Sequence, residues 1–442
     1  MLGDAPYLAT PHPGPHSREI LARLRNSEGA PGLTRGLSTD PPVLARAEGA
    51  VIEDPDGNRF LDMVAGFGSL NLGHSHPAVV EAATRQLALG QQAMSMASPL
   101  RTELVERLAA KVPGLSHVLL GASGSEATET ALKLARRATG RPRVVAFSGG
   151  FHGRTMGALA LMGRRDQRRG LGELGPVTHL PFPHPLRSPF GNDPAAVVDA
   201  TLELIDQQLA DPTGGWDDVG AIVVEPVQGN GGMIPAPLGF LAGLRAVCSR
   251  HGVLLIIDEV MSGFHRTGRS FAFLHEDGVA PDLVVAGKSL SAGLPLSAVL
   301  AAPAVVDASD PGTETSTYAG NLVSCAAALA ADDVYRSEDM STLAAARGTF
   351  LLEQLTGRLA SHEAVAEVRG RGLMVGVELT DVNGDPLSEA KKISEECVRR
   401  GLLVYPGGHY GNVVGMLPPL VANEEQLATA AEVLAVVIAD LF

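Results

Sequence analysis

Three charged side chains stand where buried apolar runs stop. Val253-Leu254-Leu255-Ile256-Ile257 ends at Asp258, Leu283-Val284-Val285-Ala286 ends at Gly287-Lys288, and Ala221-Ile222-Val223-Val224 ends at Glu225. Apolar runs this short, without polar alternation, read as strands buried on both faces of a parallel sheet. An open α/β sheet binds its ligand beyond the carboxyl ends of such strands. Taken singly, a lysine is more often a surface residue and an aspartate more often a cap. An acid at 258 and an amine at 288, each at a strand end, form an arrangement for one cofactor held between them.

Two further stretches narrow the chemistry. His117-Val118-Leu119-Leu120 reads as a strand, Gly121-Ala122-Ser123-Gly124-Ser125 as a turn, and Glu126 to Arg137 as a helix. A small turn into a helix leaves backbone N–H groups at the positive helix end, a site for phosphate. The turn nearly matches a serine-hydrolase elbow, but Ser125 stands where that motif needs its last glycine. The strand Val144-Val145-Ala146-Phe147 runs into Gly149-Gly150-Phe151-His152-Gly153-Arg154-Thr155. Phe151 there is either core packing or a ring stacked on a flat heterocycle. Phosphate cradle, stacking ring, buried acid and amine together suit pyridoxal phosphate. Gly124 and Ser125 would take the phosphate, and the ring would lie between Phe151 and Val260. Asp258 would keep the ring nitrogen protonated, making the ring an electron sink. Lys288 would form the Schiff base and then carry the proton between Cα and C4′.

The elements that must position these groups alternate. Amphipathic helices over Thr102 to Lys111 and Leu238 to Arg250 interleave with the strands, which predicts an α/β fold with a mainly parallel sheet flanked by helices. A long helix follows at Val323 to Tyr335. Helices at Leu343 to Leu359, Ser388 to Arg400 and Glu424 to Ala439, with strands at 376–379 and near 413–414, form a smaller α+β domain. Its strands are expected to join those of residues 50–65, where an Asp56-Gly57 turn links two strands. The predicted organisation is an N-terminal arm and part of the small domain in residues 1–70, a large cofactor-binding domain in 71–335, and the rest of the small domain in 336–442. Gly73-His74-Ser75-His76-Pro77 offers two histidines but no third ligand, so it reads as a helix start rather than a metal site.

Composition sets the outer bounds. The 442 residues, 45% hydrophobic and 19% charged, suit a soluble chain with more than one core. A net charge of −14 without a basic run argues against nucleic acid as a partner. Cys248, Cys325 and Cys397 are odd in number and far apart, which suits a reducing, cytoplasmic setting. No apolar run approaches the roughly 20 residues of a membrane span, and no signal peptide is evident.

The chain resembles the class III (ω-amino acid type) aminotransferases, of pyridoxal-phosphate fold type I. The likeness rests on Gly57-Asn58-Arg59-Phe60-Leu61-Asp62, Ser123-Gly124-Ser125-Glu126-Ala127, Phe151-His152-Gly153-Arg154-Thr155, Glu225-Pro226-Val227-Gln228-Gly229, Asp258-Glu259-Val260, Lys288 and Thr317-Tyr318-Ala319-Gly320-Asn321. It implies catalytic roles for Lys288 and Asp258, and cofactor contacts at Ser123, Gly124, Ser125, Phe151, His152, Val260 and Thr317. It also implies a homodimer in which Thr317 reaches the phosphate held by the partner subunit.

The departures bear on substrate. Met261 stands where the family often has glutamine, and Leu322 where proline is usual. Asn412-Val413-Val414-Gly415 puts glycine where members using α-amino acids or 4-aminobutyrate carry the arginine that grips a substrate carboxylate and pairs with the acid at 225. An arginine–carboxylate fork is strong and directional. Without it, Glu225 is a substrate-facing acid in need of a cation, such as a substrate ammonium. The expected substrate is therefore an amine lacking a carboxylate: an amino sugar of the aminoglycoside kind, with a 6′-type amine, or a diamine. Another arginine, from the N-terminal arm or Arg154, taking over the role is the opposing reading. An epimerase or racemase, an ordinary ω-amino acid aminotransferase and a catalytically dead relative are the rival functions.

Overall fold

The computed structural model describes residues 2–29, 36–94, 96–380 and 386–442, so residues 30–35 of the expected arm lie outside the described residues. The chain divides into two compact units.

The larger unit, residues 78–265 and 269–338, is built on a seven-stranded sheet. Its middle is parallel: Leu254–Asp258 lies between Val219–Val224 and Leu283–Ala286, and Arg143–Phe147 and Val177–Leu180 continue from Val219–Val224. One strand breaks the pattern. Ser297–Ala301 inserts antiparallel between Leu283–Ala286 and His117–Gly121. It is fully buried and has no alternating polar face, so its five short residues gave no periodic signal.

Helix Gly124–Thr139 covers one face of this sheet. Ala127, Ala131, Leu132 and Ala135 point inward at helical spacing, against Val144, Val223, Ile256 and Val285. Gly140, in the left-handed region at φ 66°, stops the helix, and its N–H returns to the Arg136 carbonyl. The helix begins two residues earlier than its apolar pattern, because Ser123 caps it. The three cysteines are free and buried, and burial pushes the thiols of Cys248 and Cys325 up to about 12.

The smaller unit, residues 1–77, 266–268 and 339–442, combines both ends of the chain. Leu402–Leu403 pairs in parallel with Leu61–Asp62, extending the sheet of the Asp56-Gly57 hairpin. A second antiparallel sheet joins Val365–Gly370, Val375–Leu379, Val413–Met416 and Tyr405–Gly407. The strands missed here lie at 365–370 and 402–407; the second group is short and set between Gly401 and Gly408. His74 donates to Asp62 at 2.8 Å, which gives that histidine a structural partner. Arg266 is fully buried and hydrogen-bonds the carbonyls of Leu373 and Pro418 and the side chain of Asn71. No helix among the described residues is long and apolar enough to cross a membrane.

Helix Met340–Leu359 buries Gly348 against the backbone of Gly372; a Cβ at 348 would overlap the Gly372 carbonyl group. Because backbone rather than a pliable side chain opposes it, Gly348→Ala should destabilise this unit by about 1–3 kcal/mol, read as a lower midpoint in thermal melts. An unchanged midpoint would show that the helix shifts at no cost.

Candidate active site

Asp258 ends the central strand and is 4% exposed. Each of its carboxylate oxygens is engaged. Oδ1 accepts from the Val260 N–H at 2.9 Å and Oδ2 from His152 Nδ1 at 2.7 Å. Burial opposes charge on the His152 imidazole, but the hydrogen bond to Asp258, its negative charge and that of Glu225 outweigh this and raise the imidazole above its ordinary value. His152 is therefore the group that orients the acid. Its own backbone is fixed from the neighbouring helix, since Thr128 Oγ1 donates to the His152 carbonyl at 2.9 Å.

The turn ahead of that helix is held from both sides. Ser123 Oγ accepts from the Glu126 N–H at 3.2 Å, and the Glu126 carboxylate reaches back to the Ala122 N–H at 2.6 Å. This is a variant of the capping box, and its Ser-x-x-Glu signature is visible at 123–126. The Ala127 N–H returns to the Ser123 carbonyl, which leaves the N–H groups of Gly124 and Ser125 without an intrahelical acceptor. Gly124 is crowded: a Cβ there would lie 2.9 Å from Val260 Cγ1. Ser125 Oγ accepts from the Arg154 N–H at 3.1 Å, and the Gly153 Cα packs on Ser125 so tightly that a Cβ would come 2.8 Å from the Ser125 Cα. Gly153 also has φ 134°, a region L side chains rarely adopt.

Lys288 follows the neighbouring strand, is half-buried, and has φ 45°, unusual for a side chain with a Cβ. Tyr335 on helix Leu322–Ser337 donates to the carbonyl of Ser289 at 2.9 Å and pins this turn. Gly287 brings the lysine's backbone beside the anion turn: a Cβ there would lie 3.6 Å from the Gly124 Cα and 3.6 Å from Val260 Cγ1.

Glu225 ends the strand on the other side of Asp258 and is 6% exposed. Its oxygens accept from the N–H groups of Phe151 at 3.1 Å and Gly229 at 3.2 Å. Burial, together with the Asp258 charge, pushes this carboxyl up to about 7 against the pull of His152 and the two N–H groups. The expectation that Glu225 must find a cation is thereby modified: two backbone donors and a raised pKa accommodate it. Strand-end convergence thus brings Ser123, Gly124, Ser125, Phe151, His152, Glu225, Asp258, Val260 and Lys288 into one region of the larger unit. Thr317 lies instead on an exposed turn, its carbonyl accepting from Gln92 at 2.7 Å.

The family description "Aminotransferase class-III" matches residues 37–438 of the chain. The chain belongs to the class III aminotransferases. It is 36% identical to a diaminobutyrate–2-oxoglutarate aminotransferase of Haemophilus influenzae, over 87% of this chain and 88% of that one. It is 40% identical to an acetylornithine aminotransferase of Corynebacterium efficiens, over 92% and 95%. Among solved structures, an amine transaminase from an uncultivated Pseudomonas species, in its pyridoxal-phosphate-bound form, superposes with a TM-score of 0.84 at 34% identity, covering 93% of this chain and 98% of that one. Class III aminotransferases are pyridoxal-phosphate-dependent enzymes of fold type I, and so is this protein.

The residues present fit that cofactor. The two unclaimed N–H groups at the helix start suit a phosphate, and the side chains absent at Gly124 and Gly153 would fill the same turn. What the sequence did not reveal is the web around these residues: Thr128 and Tyr335 act on backbone groups distant in the chain.

Glu225 also sets a pH response. Its ordinary value is 4.5 and its folded value about 7, so between the two the folded chain holds a proton that the unfolded chain has lost. Its contribution to stability therefore falls as pH rises through this window and stays low above it. In melts of the cofactor-free protein, the midpoint of Glu225→Gln should gain on that of the wild type from about pH 5 to about pH 8. Parallel curves would place the buried proton elsewhere.

Proposed function

We propose that this aminotransferase draws its amino group from a donor without an α-carboxylate, an amino sugar of the aminoglycoside kind or a diamine. The observation that carries the reading is Gly415. Where the family resemblance expects the carboxylate-gripping arginine, this chain has a glycine inside the buried strand Val413–Met416, paired with Gly376 on one side and Tyr405 on the other. Supporting it is a buried carboxyl at Glu225 whose folded value lies near neutrality. A donor ammonium arriving there would favour its ionised form.

In this reading Lys288 carries the proton that leaves the donor's amine-bearing carbon and returns it elsewhere, its Nζ serving as base and then acid. Asp258, steadied by His152, would hold the cofactor's ring nitrogen in its protonated state. Bound pyridoxal phosphate supplies an electron-withdrawing ring that stabilises the negative charge developing at the donor carbon. Gly124 and Ser125 would take the phosphate with backbone N–H groups, and Ser123 fixes the turn that presents them. Phe151 and Val260 would bound the ring's two faces. Thr317, exposed in one subunit, would serve the phosphate of a partner in a homodimer.

A second reading is favoured by the relatives named for diaminobutyrate and acetylornithine: an ordinary ω-amino acid donor, with 2-oxoglutarate as acceptor. A side-by-side comparison decides between them. Conversion of the bound cofactor to its amine form, followed by absorbance, should be efficient with an amino sugar or putrescine and poor with 4-aminobutyrate. Efficient conversion by 4-aminobutyrate alone would refute the donor assignment. Lys288→Ala should lose turnover by roughly 10²–10⁴-fold with the fold retained, as judged by circular dichroism. Near-normal turnover in that variant would displace Lys288 from its role.

A further inference from the structure

Thr317 is exposed, so what fixes its position must act through the residues around it. On its far side the turn is anchored by backbone. Asn321 caps helix Leu322–Ser337 by accepting from the Val323 and Ser324 N–H groups, and the Leu322 N–H donates to the Gln91 carbonyl at 2.9 Å. Gly320, at φ 66°, rests on the strand that leads into the anion turn: a Cβ there would lie 2.9 Å from Leu120 Cδ1.

On its near side stands Glu314. Its side chain is 4% exposed although both neighbours, Thr313 and Thr315, are exposed. Oε1 accepts from Arg137 Nη1 at 2.5 Å, and Lys133 Nζ lies 2.5 Å from Oε2 as an ion pair without hydrogen-bond geometry. Arg137 Nη1 also donates to Thr313 Oγ1 at 3.1 Å. Lys133 and Arg137 are four positions apart on helix Gly124–Thr139, so they stand on one face of it. An exposed ion pair adds little, but this acid is buried and shared by two cations. Thr317 follows three positions later, at most about 10 Å of extended chain. The helix whose first N–H groups suit a phosphate therefore also holds, from its later turns, the loop that carries Thr317.

We propose that Glu314 is a positioning residue: tied to Lys133 and Arg137, it fixes the Thr317 turn for the phosphate of the partner subunit's cofactor. The inference rests on the preceding reading of Thr317 as a phosphate contact across a homodimer. Through this link, the helix that receives one subunit's cofactor also sets the grip on the other's.

The test compares the wild type with Thr317→Ala, Glu314→Gln and Arg137→Met, and with each of the last two combined with Thr317→Ala. Arg137 is partly exposed and methionine is a good helix former, so this variant cuts the link even if Glu314→Gln fails to fold. Equilibrium dialysis of the holoenzyme gives the Kd of pyridoxal phosphate without reference to turnover. Thr317→Ala should raise it about 10- to 100-fold, as loss of a hydrogen bond to a charged group does. Glu314→Gln and Arg137→Met should each raise it about 5- to 30-fold, and the combined variants should bind no more weakly than Thr317→Ala alone. A Kd raised by Thr317→Ala but not by the other two, or losses that multiply in the combined variants, would overturn the role of Glu314. A Kd unchanged by Thr317→Ala would instead remove Thr317 from the phosphate, and the inference would fall with that reading.

Discussion

The site turns on one buried contact, the 2.7 Å hydrogen bond between His152 and Asp258. A carboxyl group this deep must have its oxygens hydrogen-bonded. His152 and the Val260 N–H supply the hydrogen bonds its two oxygens need. Everything else in the region can be described by how it holds those two residues. The sheet sets Asp258 at a strand end, and the helix over the sheet fixes the His152 backbone through Thr128. Glu225 ties the next loop residue, Phe151, to the neighbouring strand.

Close backbone approach is the second constraint. Gly124, Gly153 and Gly163 each lie where a methyl group would strike a neighbour belonging to the site or its loop. These glycines let the anion turn, the Phe151 loop and the Gly163-Arg164 segment stack without intervening side chains. That economy explains how groups from residues 123 to 288 converge although helices and strands separate them. It also makes the loop a rigid spacer, so a change at one glycine is transmitted to the partners of Asp258 and Glu225.

Charge in the region is arranged rather than minimised. Glu225 is accommodated by two N–H groups and a pKa near neutrality.

The parallel strands, the acid and the amine that follow them at 258 and 288, and the turn before the helix were legible in the chain, whereas the Ser123 cap was not. Buried parallel strands are continuous apolar runs, and the residues that end them are therefore conspicuous. The mainly parallel α/β sheet follows from the same runs and is observed. The antiparallel strand Ser297–Ala301 was not legible, because a short buried strand has no pattern that distinguishes it from any other apolar stretch. Nor were the hydrogen bonds of Thr128, Tyr335 and Asn230, which join residues 24, 46 and 66 positions apart. Sequence determined which groups could do chemistry, since residue type and strand ends are local properties. Tertiary structure alone decided their partners, since burial and long-range hydrogen bonds exist only once the strands lie side by side.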